Sequence, residues 1–260
     1  CVVVGKDEGT MQRGYWYTAS RDADALEAAE SVGRRAAERT VAKLGARKVA
    51  TEKVPVIFEA PVAGGLIGHL VSAISGGSLY RKASFLLDTA GKAIFPHHVS
   101  ITESPHLACC LGSAPFDAEG ARTAARDLVD DGILTCYVLD SYSARKLGLE
   151  PTGNAGGVHN LTLSHQDLRF EQLVAMMERG LVVTDLMGFG INLVTGDYSR
   201  GASGFWVEDG QIAYPVEEIT VAGNLADMFM NIVASAADVD LRGNIRSGSI
   251  LLESLTVAGA

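Results

Sequence analysis

The chain has 260 residues, enough for one large domain or two small ones and for a sizeable buried core. Its 47% hydrophobic and 20% charged content is that of an ordinary soluble globular protein. Thirty-one acidic against 22 basic side chains give a formal charge of -9, a field that repels nucleic-acid backbones. No apolar run approaches the roughly 20 residues needed to cross a bilayer, so neither nucleic acid nor membrane is an expected partner. The absence of a cationic leader followed by a small-residue cleavage site makes the cytoplasm the expected location.

In chain order, Cys1 opens an apolar run, Cys1-Val-Val-Val4, without an initiator Met, so an N-terminal region is expected to precede it. The four cysteines lack C-x-x-C spacing, and reduced thiols are expected. Asp22–Leu44 is rich in Ala, Leu, Glu and Arg, with Asp22 or Asp24 to cap it and Gly45 to stop it, and is predicted to be a helix. Val54–Phe58 is a short apolar strand. Over Val62–Ile74, apolar residues and His69 recur at helical spacing, with Gly76-Gly77 as the expected stop.

Beyond this the period changes to two. Arg126–Asp130 and Ile133–Leu139 flank Asp131-Gly132, a dipeptide suited to a tight hairpin turn. Val158–Ser164 and Leu181–Leu186 are strands, with a helix at Phe170–Arg179 between them that Gly180 ends. Phe205–Glu208 and Gln211–Tyr214 form a second hairpin around Asp209-Gly210. Asn224–Ala234 is a helix and Ile250–Val257 the last strand. Hairpins with segregated helices predict an α+β domain with a largely antiparallel sheet, and no linker or repeat divides residues 1–260.

Common catalytic signatures are missing. No segment supplies the Gly-x-x-x-x-Gly-Lys-Ser/Thr phosphate loop, and Gly188-Phe-Gly190 lacks the third glycine of a dinucleotide fold. Gly201-Ala-Ser203-Gly204 has Phe205 where a nucleophile elbow requires glycine. His159 and His165 lie about 20 Å apart on an extended strand and cannot share a metal. His97, His98 and His106 have no carboxylate or thiol at ligand spacing and are expected at the surface. His69, alone on a helix, is no ligand set either.

Several segments together resemble the C-terminal domain of the TldD/PmbA family. They include Gly196-Asp-Tyr-Ser-Arg-Gly-Ala-Ser-Gly-Phe-Trp-Val-Glu-Asp-Gly210, Tyr214-Pro-Val-Glu-Glu-Ile-Thr-Val-Ala-Gly-Asn-Leu225 and Thr152-Gly-Asn-Ala-Gly-Gly-Val-His159. Ser141–Gly148, Asp131–Thr135, Gly68-His-Leu70 and Leu79–Lys82 extend the resemblance over nearly the whole chain. The resemblance implies a heterodimer of two branches. The TldD branch carries His-Glu-x-x-x-His on a helix and a later cysteine that completes a zinc site. In this sequence those positions are Gly64, Gly65 and His69, and no cysteine follows Cys136. A hydrolytic zinc needs about three protein ligands and a carboxylate to move protons, so the chain is similar to the metal-free TldE/PmbA branch.

What the resemblance implies is a subunit of a zinc peptidase that handles small peptides, such as a microcin precursor or an antitoxin. The zinc would sit in a TldD-type paralogue, and this chain would carry neither metal nor catalytic residue. Extended peptide substrate and paralogue are the expected partners, with a homodimer as the assembly of the isolated chain. His69, Trp206 and Met230 are the candidate residues of a substrate groove or interface, although Leu225, Met228, Phe229 and Ile232 follow core spacing. The alternative is a protein-binding regulator of DNA gyrase.

Overall fold

The computed structural model describes residues 1–7 and 9–259. In chain order the elements are β1 (Val2–Asp7), β2 (Thr10–Tyr15), a 3-10 turn (Ala23–Ala25), α1 (Ala29–Val41), β3 (Glu52–Phe58), α2 (Ala60–Ala73) and α3 (Gly76–Tyr80). Next come β4 (Ile101–Glu103), β5 (Arg126–Asp130), β6 (Ile133–Leu134), α4 (Ser141–Leu147), β7 (Leu161–Leu163) and α5 (Phe170–Ala175). The chain continues through β8 (Arg179–Met187), β9 (Asp197–Glu208), β10 (Gln211–Asn224), α6 (Leu225–Met230), β11 (Ile232–Ser235), β12 (Ile245–Arg246) and β13 (Ile250–Ala258).

The main sheet has six strands in the order β10-β9-β8-β3-β13-β11. It closes on itself, because β13 leaves β11 after Leu252 and pairs Thr256–Ala258 with Thr220–Ala222 of β10. The pairing is antiparallel throughout, as the sequence predicts, except between β3 and β8, which run parallel. Side chains alternate across this sheet as a period of two requires. Val54, Val56, Phe58, Leu181, Val183, Trp206 and Leu252 face one large core, whereas Ile57, Val182, Val207 and Leu251 face a second cluster with Leu173, Val174 and Met177 around α5. The connection from β3 to β8, residues 59–178, holds α2 to α5 and most of a five-stranded sheet ordered β12-β7-β4-β5-β6. That sheet adds Ile101, Leu128, Leu134 and Leu161 to the large core.

Several elements differ in length from expectation. The 22–44 helix is broken. Asp22 does cap a turn, accepting from the Asp24 N–H, but that turn ends at Ala25, and Leu26 is extended. Trp16 and Ser31 hydrogen-bond the Glu27 carboxylate and Thr18 accepts from its amide, which holds this break open. Gly76-Gly77 begins α3 rather than stopping α2. The glycine is required by close packing on α4, since a Cβ at Gly76 would lie 2.1 Å from Ser143 Oγ. Likewise Gly180 lies within β8, where a Cβ would meet the Pro55 carbonyl at 2.6 Å, and the helix before it ends at Ala175. The 133–139 strand keeps only Ile133–Leu134 and the 158–164 strand only Leu161–Leu163, while the Asp209-Gly210 hairpin is far longer than its turn suggests. The 224–234 helix ends at Met230, because the following Ile232–Ser235 pairs with β13.

Trp206 is not an interface residue. It has 0% of its surface exposed, and the Arg179 guanidinium covers its ring at 5.3 Å on the sheet's margin. A side chain without accessible surface has nothing to offer a partner, so Trp206 belongs to the core. Trp206→Ala is expected to lower unfolding free energy by about 3–5 kcal/mol, the usual cost of emptying a large aromatic site. A chemical-denaturation midpoint unchanged from wild type would contradict this placement.

Candidate functional site

Helix α2 is apolar on nearly all sides, the composition of a buried helix rather than a surface one. Its buried residues Ala63, Leu66, Ile67, Leu70 and Ala73 bind it into the large core. One face of it meets the second sheet at Ile245: a Cβ on Gly64 would sit 3.4 Å from the Ile245 carbonyl and one on Gly68 3.8 Å from Ile245 Cδ1, both ordinary van der Waals contact. Gly65, one residue round the helix, has nothing within 4 Å of a notional Cβ and is exposed.

His69 lies one turn beyond Gly65. Its ring meets Tyr198 edge to face, with centroids 5.9 Å apart, and is partly buried. Burial lowers its pKa, and the charge of Arg200 adds to that effect, so both favour the neutral imidazole. The same burial pushes the Tyr198 phenol up to about 12, against the pull of Arg200.

A zinc ion does not fit the residues present at these motif positions. Gly64 and Gly65 supply no donor atom, and His69 is a single nitrogen ligand turned against an aromatic ring. Among the described residues no three His, Cys, Asp or Glu side chains come together as a set able to hold a metal.

The other histidines are scattered. His106 Nε2 lies 3.0 Å from Thr123 Oγ1, and His165 Nδ1 lies 3.1 Å from the Gln166 carbonyl. Of the three expected at the surface, His98 departs: its Nε2 is buried without a partner, and burial lowers its pKa, helped by His97. His159 joins a network that the sequence did not suggest. Its amide and ring donate toward Glu103, which is 1% exposed and also receives Asn154 Nδ2 at 2.7 Å and faces Arg126 Nε at 3.3 Å. The only sequence signal was an acid at an inward position of the strand Ile101–Glu103. All three hydrogen bonds fall on Oε1, while Oε2 has only the Arg126 charge beside it, and together these contacts tie β4, β5 and the 152–160 loop to one buried carboxylate.

Met230, at the end of α6, is 47% exposed and stands next to Val233 at 40%, whereas Leu225, Met228, Phe229 and Ile232 are buried, as their spacing foretold. The larger feature is a cleft of about 680 Å³ between the N-terminal segment and the rest of the chain. Trp16 and Arg35 form one wall; Cys110, Leu241, Arg242 and Arg246 form the other; and the start of α2 closes its end. Charge pairs join the walls: Arg39 forks onto Glu59 at 2.7 and 2.6 Å, and Arg242 lies 3.8 Å over the Trp16 ring. Sequence reasoning missed this cleft because its residues are scattered from position 16 to 246.

Residues 51–259 match the family model described as the PmbA/TldA metallopeptidase C-terminal domain, and residues 1–44 match that of the PmbA/TldA metallopeptidase central domain. Metalloprotease PmbA of Escherichia coli O157:H7 is 55% identical over 257 residues, covering 99% of this chain and 57% of that protein. The Metalloprotease PmbA homolog of Haemophilus influenzae is 51% identical over 260 residues, covering 100% and 58%. The chain therefore spans somewhat more than half the length of these relatives. Its fold superposes on a crystal structure from Bacteroides thetaiotaomicron, described as a proposed modulator of DNA gyrase, with TM-score 0.94 and 33% identity, covering 100% of this chain and 59% of that one. TldE from Thermococcus kodakarensis shares the fold at TM-score 0.86 and 24% identity, covering 98% and 61%. No described helix is long and apolar enough to cross a membrane.

Two outcomes follow for α2. Gly65→Ala places a methyl group in open space at an interior helix position, and is expected to raise stability by about 0.5–1 kcal/mol; a lower denaturation midpoint would contradict that. His69 has a folded pKa below its ordinary value of 6.5, so the unfolded chain binds more protons, and stability falls as pH drops below about 6.5. His98 contributes with the same sign. His69→Gln should therefore lose less of its thermal midpoint between pH 7 and pH 5 than wild type does. An equal or larger loss would show that His69 is not held neutral.

Proposed function

We propose that this chain, which belongs to the PmbA/TldD metallopeptidase family, is the metal-free subunit of a cytoplasmic two-component zinc peptidase that processes small peptides. One observation carries the reading: α2 presents Gly64 and Gly65 where the zinc-bearing branch is expected to place a ligand and a proton-moving carboxylate, and leaves His69 packed edge to face on Tyr198. Glycine can neither bind the metal nor act as a base. A TldD-type paralogue would hold the zinc, while this chain would shape the chamber and take part in assembly. The exposed pair Met230 and Val233 is the part of the candidate interface that remains accessible.

The deciding experiment measures zinc content and peptide cleavage for this protein alone, for the zinc-bearing paralogue alone, and for the mixture. This protein alone should carry well under one equivalent of zinc and cleave nothing, and the mixture should cleave. One tightly held zinc per chain, or cleavage by this chain alone, would overturn the reading. Capture of gyrase in place of the paralogue would replace it with a regulatory one. Met230→Glu should weaken association with the paralogue by tenfold or more while leaving the fold intact, as expected when a charge enters an apolar contact. Unchanged affinity would move the interface elsewhere.

A further inference from the structure

The cleft between the N-terminal segment and the 238–246 loop is defined by how its charges are matched. Three guanidinium groups line it. Arg35 Nε lies 3.2 Å from Glu27, and Arg242 forks onto Asp240 at 2.9 and 2.6 Å. Arg246 has no carboxylate partner among the described residues. Its Nη2 meets only the Cys110 sulfur, at 2.7 Å, and its Nε is buried without any acceptor. With Nε sealed and Nη2 on Cys110, Arg246 presents to the cleft the remainder of a guanidinium whose charge no acid offsets, and a ligand carboxylate satisfies such a group through a charge-assisted hydrogen bond.

The remaining walls restrict what that carboxylate belongs to. Asp22, Glu27, Glu59, Asp238 and Asp240 also line the cleft, so acids outnumber the three arginines. A dianion such as phosphate would therefore meet net repulsion, whereas a single negative charge at Arg246 with a neutral or cationic remainder would not. Leu111, Pro61, Val239 and Leu241 supply apolar lining, and about 680 Å³ lies within the range of small-ligand sites and suits a few amino-acid residues. We propose that the cleft binds a short zwitterionic peptide by its C-terminal carboxylate, gripped by Arg246, with the amino end toward the acidic wall. The substrate class follows from the peptide-processing reading above, but the binding step requires neither zinc nor a second subunit.

The chain has two tryptophans, and only Trp16 lines the cleft, since Trp206 is fully buried. Trp16 fluorescence therefore reports on this site, and Trp206→Phe assigns the signal to it. The titrants are the tripeptide Ala-Ala-Leu with a free carboxylate, the same peptide as its C-terminal amide, and inorganic phosphate. The free carboxylate should give a saturable change, with the amide at least tenfold weaker, the discrimination expected of a charge-assisted pair. Phosphate should give no saturation. Arg246→Met should lose tenfold or more for the free peptide and bring it level with the amide, while Arg246→Lys recovers part of the loss. Equal binding of amide and carboxylate by the wild-type protein would overturn the proposal without recourse to any variant. So would saturation by phosphate at the same concentration, or full binding by a folded Arg246→Met protein. Cleavage by the two-subunit mixture with no peptide response at Trp16 would remove this inference alone. A peptide response without cleavage by the mixture would remove the peptidase reading and leave the site.

Discussion

The architecture rests on the parallel pairing of Val56–Phe58 with Leu181–Val183. Antiparallel neighbours can be joined by a two-residue turn, but parallel ones need a chain that leaves one end of the sheet and returns at the other. Here residues 59–178 make that return, and they contain α2, the Glu103 network and most of the second sheet. The first helix of the crossover packs at once against the sheet it has left, which is why α2 is apolar on nearly all sides. Its sequence answers to two layers of packing, and the motif positions 64, 65 and 69 are set within that constraint. Gly64 stands against Ile245, and His69 against Tyr198.

What was legible in the sequence divides along the same line. Local signals held where a single residue decides the backbone. Asp131 and Gly132, with φ of 45° and 81°, and Asp209 and Gly210, with φ of 50° and 71°, make the turns their dipeptides announce. The family resemblance was also readable, because it rests on contiguous motifs. Element lengths were not, because partners far away in sequence set them. Ile232 and its neighbours leave the expected helix to pair with β13, and β9 and β10 run well past their turn because each has a neighbour to pair with. Trp206 was misplaced for a related reason: an aromatic in a hairpin looks equally suited to a surface or a core until the opposite wall is known. The cleft and the Glu103 network could not be read at all, since each gathers residues with no common period.

The joint between the N-terminal segment and the remainder has a different chemistry from the core. Arg39 with Glu59, Lys43 with Asp185 at 2.6 Å, and Gln12 with Glu217 at 2.6 Å span it, and arginines cover Trp16. The apolar contacts there are few beside those that hold α2 between the two sheets. Charged joints of this kind depend on geometry more than on area, so oriented side chains set the ends of a cleft whose lining is otherwise largely apolar. Arg246 is the member of that set whose orientation is not matched by an acid.

The closure of the main sheet through β13 also governs how the molecule meets other chains. An open sheet offers rows of unsatisfied amides and carbonyls, and these recruit foreign strands or seed aggregates. In this sheet β10 is occupied by β9 on one side and by β13 and Arg47 on parts of the other. The short β11, which forms the outer margin, is met at Ser235 by Gln166. The long strand-length template that remains among the described residues is the isolated hairpin of β1 and β2, paired only within itself. The longest strand edge left without a neighbour among the described residues thus lies at the end of the molecule that carries Trp16, away from the closed main sheet.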